Sequence, residues 1–561
     1  METGINRRSF GMDRRSSGMD RRSSGMNRRS FIKRSAAAGG GLIASGSLGP
    51  LARAAGPHGR PNILVIMVDQ MRAPQWFPPQ AKIDALLPNV ARLRRVATSF
   101  ENHYTASNMC VAARGALVTG LYPHQTGCML TKEVTSSTLS PRFPTWGTML
   151  RQHGYDTTWW GKWHLGAAGD KNAGGLEPYG FDGGTYPSPN GDPGQGSDKD
   201  PATVDQFIGW FGSGRHGGPW CSTVSLVNPH DINWWPRFTA LDEPLATVDY
   251  EFSGGPPNAE TAADLRDRKP RLQRALQETT NVACGPVPDD GPEAGASWAR
   301  MLKLYLWYQQ QVDAQVGRVL DTLYARPKVA ANTVVIFTSD HGEHAGSHGL
   351  RAKGGGAYEE AIRVPLYVVD PRGELSKGRP SPRRQLTSSV DLTPLLLTIA
   401  HGSPSWRSQG RYSHLAARAD LAAIARQPRS KGRPWIAHVT DETTVEELSY
   451  TYNFANEAPH HVAAVRTPGA KFATYSRWKD GTIDVDPGDQ DRELYDYRTR
   501  GGRRELENVA GTNTELERKM SRLLEQSVLP GEVRKPLPRG LRAAQEEGMA
   551  DYFARTSEAT P

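Results

Sequence analysis

Six short stretches of this 561-residue chain hold side chains able to do polar chemistry. They are Asp69-Gln70 in "VIMVDQ", Cys110 and Arg114 in "CVAAR", Lys162 and His164 in "GKWHLG", His230 in "NPHD", Asp340-His341 in "SDHGEH", and Lys353 in "AKGGG". Carboxylates and an amide suit a hard divalent cation. Lysines and arginine suit an oxyanion whose charge grows during reaction, and histidines suit proton transfer. Cys110 alone reads four ways: disulfide partner, buried small hydrophobe, nucleophile, or raw material for a modification.

The elements that must position these residues are legible around them. "PNILVIMVDQ" is a continuous apolar run ending in an acid, the pattern of a strand buried on both faces. Similar runs recur at "DTTWWGKWHLG", "CSTVSLVNPHD", "NTVVIFTSDHGEH" and "RVPLYVVDP". Helical patterns separate them: "LPNVARLRRVATSF", "ARGALVTGLY" and the long "SWARMLKLYLWYQQQVDAQVGRVLDTLYA". This alternation predicts an α/β domain with a large, mostly parallel sheet flanked by helices. Ligands in such sheets lie beyond the carboxyl ends of the strands, where Asp69, Lys162, His164, His230, Asp340 and His341 all fall.

A catalytic domain is expected over residues 56–425, with residues 240–296 as an irregular insertion shaping a substrate pocket. From about 426 the runs shorten ("RPWIAHV", "HHVAAVRT", "AKFATYSRW", "ELYDY"), predicting a smaller antiparallel sheet-plus-helix domain to about 530. Residues 531–561, rich in proline and charge, read as a weakly ordered tail. His344 and His348 read equally as supports of the site or as structural residues. The tryptophans of "WWGKWH" and "INWWP" read first as large hydrophobes and second as stacking platforms.

The net charge of +9 is concentrated at the start: residues 1–55 carry +8 and the remainder +1, which gives no footprint for nucleic acid. No apolar run is long enough to span a bilayer, so no stable membrane insertion of the mature chain is expected. "NRRSFIKRSAAAGGGLIASGSLGPLARAAG" resembles a twin-arginine signal cleaved near Ala54 or Ala55, against the alternative of a basic tail. That predicts the twin-arginine translocase as a partner and a periplasmic or secreted location. The seven-residue repeats before it place the start at Met26 or mark an inert extension. Four cysteines are too few for a disulfide framework, although one bridge among Cys128, Cys221 and Cys284 stays open.

Taken in order, "NILVIMVDQ", "CVAARGALVTGLYPHQTG", "GKWHLG" and "FTSDHGEHAGSHGLRAKGGGAYEEAIRVPL" resemble the type I, formylglycine-dependent sulfatases of the alkaline-phosphatase-like superfamily, and "ELYDYRTRGGRRELENVA" is similar to the family's second domain. The resemblance implies that Cys110 is oxidised to formylglycine by a formylglycine-generating enzyme. One hydroxyl of the hydrated aldehyde would attack the sulfate sulfur, and the other would then expel sulfate. It implies Asp69, Gln70, Asp340, His341 and the modified Cys110 around Ca²⁺, with Mg²⁺ or Mn²⁺ as alternatives. Arg114 would hold the diol, Lys162 and Lys353 the sulfate oxygens, His164 would act as base, and His230 would stand near the leaving oxygen. The substrates implied are aryl, alkyl or sugar sulfates. Relatives that cleave phosphonate monoesters or phosphodiesters share much of this set, and an unconverted Cys110 would leave a weak binding protein. The family's usual proline is Ala112 here, which leaves open the machinery that converts Cys110.

Overall fold

The computed structural model describes residues 59–131, 138–166, 174–214, 217–376, 381–441, 458–479 and 481–558. The twin-arginine segment and its repeats lie outside them.

Eight strands form the larger sheet: β1 Asn62–Val68, β2 Thr98–Tyr104, β3 Asp156–Gly161, β4 Asp182–Gly183, β5 Trp220–Leu226, β6 Thr333–Ser339, β7 Leu366–Val369 and β8 Arg383–Ser388. Their order is β4-β3-β5-β1-β6-β7-β2-β8. β7 runs antiparallel to both neighbours, and the other pairs are parallel. The "mostly parallel" expectation therefore holds, with one reversed strand. β2 takes Thr98 to Phe100 out of the predicted helix, which ends at Val96. β-branched Thr98 and aromatic Phe100 favour the pleated strand over the helix.

Seven helices matter here: α1 Cys110–Thr119, α2 Gln195–Ser213, α3 Arg271–Cys284, α4 Gly291–Tyr324, α5 Leu392–His401, α6 Thr514–Leu523 and α7 Arg539–Glu558. Alternation along β1 feeds two cores. Ile63, Val65 and Met67 pack with Leu117 and Val118 of α1 and with Leu395 and Leu396 of α5. Leu64, Ile66 and Val68 face the other way, with Phe207 of α2 and Leu320 of α4. Every β1 residue is buried, so no polar alternation is allowed in it, and each large side chain contributes roughly 1.5–3 kcal/mol. α3 and a short helix at Ala262–Arg268 lie inside the stretch expected to be irregular; Leu265, Leu272 and Leu276 there are buried.

The smaller sheet, β9 Ile436–Thr440, β10 His461–Arg466, β11 Ala470–Ser476 and β12 Asp491–Asp496, is antiparallel in the order β12-β11-β10-β9. One face packs on Met520 and Leu524 at the end of α6. The other packs on Tyr104, Leu272 and Ile362 of the larger body. The final residues, expected as a weakly ordered tail, form α7. Their apolar residues Leu541, Ala544, Met549 and Tyr552 are spaced for one helical face, and Met549 and Tyr552 pack on Met129 and Leu130. The backbones touch: a Cβ on Gly127 would lie 2.3 Å from Gly548 C, so neither glycine has room for a side chain.

Candidate active site

Strand register brings the acids together. Val68 pairs with Ser339 across β1 and β6, which places Asp69 and Asp340 side by side just past the sheet. Gly161 pairs with Ser225 and Met67 with Ser225, so Lys162 follows at the same level. Cys110 is the first residue of α1, whose opening turn points backbone N–H groups and positive dipole at the site. Arg114 follows one turn later on the same face.

The Cys110 Sγ lies 3.2 Å from His341 Nε2, 3.8 Å from Lys162 Nζ and 3.9 Å from Asp69 Oδ1. Arg114 sits behind it and ties the acids together: Nε donates to Asp340 Oδ2 at 2.8 Å and Nη2 to Asp69 Oδ2 at 3.0 Å. Its Nη1 donates to Lys162 O at 2.7 Å and Ser225 Oγ at 3.0 Å. Lys162 Nζ is 2.8 Å from Asp69 Oδ2. Asp340 Oδ1 accepts from the backbone N–H of Gln70 at 3.2 Å and of His341 at 2.9 Å.

Gln70, in left-handed backbone (φ 67°), turns its amide to one side. Its Nε2 donates to Glu343 and its Oε1 accepts from Lys353. Lys353 is buried, and its Nζ also lies 3.3 Å from Asn233 Oδ1. His230 stands beyond β5, and Gly191 lies against it. A Cβ at Gly191 would meet His230 Cε1 at 2.7 Å and Lys162 Nζ at 2.9 Å. His164, also in left-handed backbone (φ 59°), is partly exposed. Asp231 turns away to accept from Gly196 and Ser197 N–H at the start of α2.

Charge is dense and buried. Burial pushes the Asp69 carboxyl up, but Lys162, His230, Arg114 and His341 outweigh it and hold it well below the usual carboxylate range. Burial lowers Lys162, yet Asp69 and Cys110 raise it further, so it stays cationic. The Cys110 thiol is lowered despite burial and Asp69, because Lys162, Lys353 and His341 favour a thiolate. Burial, with Lys162 and then Arg114, pushes His164 well down; burial, with Lys353 and then Lys162, does the same to His230.

The ligand atoms of Asp69, Cys110, Asp340 and His341 lie within 4.8 Å of one another. His341 Nδ1 donates to Gly342 O at 3.0 Å, so Nε2 faces the cluster and, on giving up its proton to an arriving cation, would offer it a lone pair. Two carboxylates and an imidazole fit a divalent cation. Two other buried sets of potential ligands fit one less well. At His124, Asp441 and His461, Arg534 already lies 3.3 Å from His124 Nδ1 and 3.2 Å from His461 Nε2. Near Glu360, His348 is 2.7 Å from Glu260 and stacks on Tyr358. His344 is buried against the same tyrosine, so neither histidine enters the active site. Trp159, Trp163 and Trp235 are core residues, whereas Trp234 is partly exposed. Among the described residues all four cysteines are free thiols, so no bridge joins Cys128, Cys221 and Cys284.

The structure brings Asp69, Cys110, Arg114, Lys162, Asp340 and His341 into one cluster, with Gln70, Lys353 and His230 beside it, while His164 is tied to them through the charges of Lys162 and Arg114. Sequence reasoning missed Ser225, Glu343, Asn233 and Gly191. Glu343 lies three residues past Asp340 inside a quoted motif and was open to notice; the other three act only through contacts made on folding.

The sulfatase family model matches residues 61–403. The chain belongs to the sulfatase family. It is 29% identical over 371 residues to the uncharacterized sulfatase YidJ of Escherichia coli, covering 61% of this chain and 68% of that protein. To the choline-sulfatase of Rhizobium meliloti it is 28% identical over 378 residues, with the same coverage. Its fold is that of BT4656, solved in complex with D-glucosamine-2-N,6-O-disulfate: TM-score 0.58, 20% identity, covering 83% of this chain and 97% of that one.

Proposed function

We propose that this sulfatase hydrolyses sulfate monoesters at Cys110, used as formylglycine, beside a divalent cation held by Asp69, Asp340 and His341, joined by Gln70 once its Oε1 is released by Lys353, with Ca²⁺ as the preferred ion. The observation that carries this reading is the convergence of Cys110 with two buried carboxylates, His341 and the ammonium of Lys162 at one end of the sheet. The hydrated aldehyde supplies a nucleophilic hydroxyl and a second one for product release; the cation supplies charge for the sulfate oxygens.

The side chains do the rest. Lys162 and Lys353 present fixed ammonium groups to the oxyanion, without solvent reorganisation at the moment of reaction. Arg114 holds both acids in place through its planar fork. His230 stands where a proton can reach the leaving oxygen. An arriving sulfate offsets Lys353 and Lys162, which raises the affinity of His230 for that proton. His164, held neutral by burial and by Lys162, would take a proton from the diol. We further place the mature protein outside the cytoplasm, exported through the twin-arginine translocase after conversion of Cys110.

The test is the mass of the Cys110 peptide from the exported protein, with a sulfate ester and a phosphodiester of the same alcohol assayed in parallel. An aldehyde or hydrate mass, faster sulfate-ester cleavage and an inactive Cys110→Ala variant are expected. Full activity from an unmodified thiol would refute the mechanism, and faster phosphodiester cleavage would refute the substrate class.

A further inference from the structure

We infer that Glu343 is a positioning residue that fixes which end of the Gln70 amide is offered to the cation. This rests on the cation reading above. A glutamine amide is a donor at one end and an acceptor at the other, and only the oxygen can ligate a hard cation. The backbones on both sides are already held. Tyr305 of α4 donates its hydroxyl to Gln70 O at 2.6 Å. The Glu343 N–H donates to Glu360 O at 3.1 Å, and Arg72 Nη1 donates to His344 O at 3.0 Å. What these contacts leave open is rotation of the amide by half a turn.

Glu343 removes that freedom. Its side chain is fully buried and both of its oxygens accept: Oε1 from the Ala345 N–H at 2.9 Å, and Oε2 from Gln70 Nε2. A carboxylate has no donor to offer, so the amide NH₂ must face it. The amide oxygen is then turned the other way, towards Lys353 Nζ. Lys353 gives up that oxygen when the site is loaded, and so it cannot orient the amide there. Glu343 is the partner that stays.

An isosteric change exposes the role. In Glu343→Gln the oxygen stays with the Ala345 N–H, so an NH₂ group points at Gln70. Two NH₂ groups share no hydrogen bond, and the Gln70 amide turns over, showing its own NH₂ to the cation. Adding Gln70→Glu cures this, because a carboxylate has an oxygen at either end. One oxygen accepts from the new NH₂ at position 343, and the other faces the cation.

The experiment follows the thermal midpoint against Ca²⁺ concentration for the unaltered protein, Glu343→Gln, Gln70→Glu and the double exchange. Glu343→Gln should raise the half-saturating Ca²⁺ concentration by about tenfold to a hundredfold, with the metal-free midpoint little changed. The double exchange should bring it back. A residue that merely braces the loop would lower the metal-free midpoint and leave the Ca²⁺ requirement alone. An unmoved Ca²⁺ requirement in Glu343→Gln, or a double exchange that binds no better than that single variant, would overturn the inference. Where Glu343→Gln does not fold, the exchange still decides. Gln70→Glu alone sets two buried carboxylates face to face and should lower the metal-free midpoint; adding Glu343→Gln should raise it again, and a further fall would overturn the inference. An unaltered protein stabilised by none of Ca²⁺, Mg²⁺ and Mn²⁺ would instead overturn the cation reading on which it rests.

Discussion

Replacing Gly191 by alanine separates the placement of His230 and Lys162 from their chemistry. A methyl there would lie 2.7 Å from His230 Cε1, 3.0 Å from His230 Nδ1 and 2.9 Å from Lys162 Nζ, where ordinary contact begins at 3.4 Å. The neighbours must yield by about half an ångström or more. The backbone adds to this, since φ is +104° and side chains rarely adopt it. Strain of this kind costs about 1–3 kcal/mol, and overpacking a further 1–3 kcal/mol. A shift of about 1 Å in positioned catalytic groups costs on the order of 10²-fold in rate. The expectation is a loss of about a hundredfold in kcat/KM with a folded protein whose thermal midpoint falls by several degrees. Steady-state rates and thermal unfolding of Gly191→Ala, beside Gly410→Ala where nothing lies within 4 Å, give the answer. A folded Gly191→Ala enzyme that keeps more than a third of its activity would show that Gly191 does not set the two groups.

Lys353→Met removes a buried ammonium and strands the oxygens of Gln70 and Asn233; kcat/KM should fall by at least a hundredfold, measured on a sulfate ester at fixed metal. Chelation should lower both activity and thermal midpoint, because a cation bound there would neutralise the buried Asp69 and Asp340 carboxylates alongside Arg114 and Lys162. Unfolding curves with added Ca²⁺, Mg²⁺ and Mn²⁺ then rank the ions by the stability they restore. Glu532 tests acid stability. Burial raises its carboxyl, but Arg433 and then Arg418 hold it at about 2, below the ordinary 4.5. Its contribution, on the order of 3 kcal/mol, is therefore full above about pH 4.5 and fades as pH falls towards 2. Glu532→Gln should flatten that part of the stability–pH curve in urea titrations from pH 6 to pH 3, and an unchanged slope would rule the group out.

The larger sheet was legible because buried parallel strands need apolar runs, and β1 (Ile63–Val68) and β6 (Val334–Phe337) have them, although Ser222, Thr223 and Ser225 interrupt β5. The site was legible because α/β sheets place ligands beyond strand ends, so Asp69, His230 and Asp340 announced themselves by position. The resemblance added roles that spacing alone did not. Three features resisted. Lys353, followed by three glycines, reads as a mobile lysine, yet folding carries it 283 residues back to Gln70. Gly191 has no chemistry of its own and matters through the space it leaves. α7 looked like a tail because charge and proline dilute its apolar residues, and only its partners Met129 and Leu130 reveal the face they form.

The depth of Cys110 sets an order of events during synthesis. The residue is 2% exposed. The wall around it needs Asp340, His341 and Lys353, and the turn following α1 is closed by Gly548 from near the end of the chain. A ribosome that has released Cys110 must add more than two hundred residues before its pocket can close. Until then the "CVAAR" stretch is exposed chain, open to any enzyme that binds an extended peptide. Afterwards the thiol is sealed. A modification at this position is thus timed by elongation rather than by the stability of the finished fold, and rare codons or slowed translation between residues 115 and 340 would lengthen the interval in which it can occur.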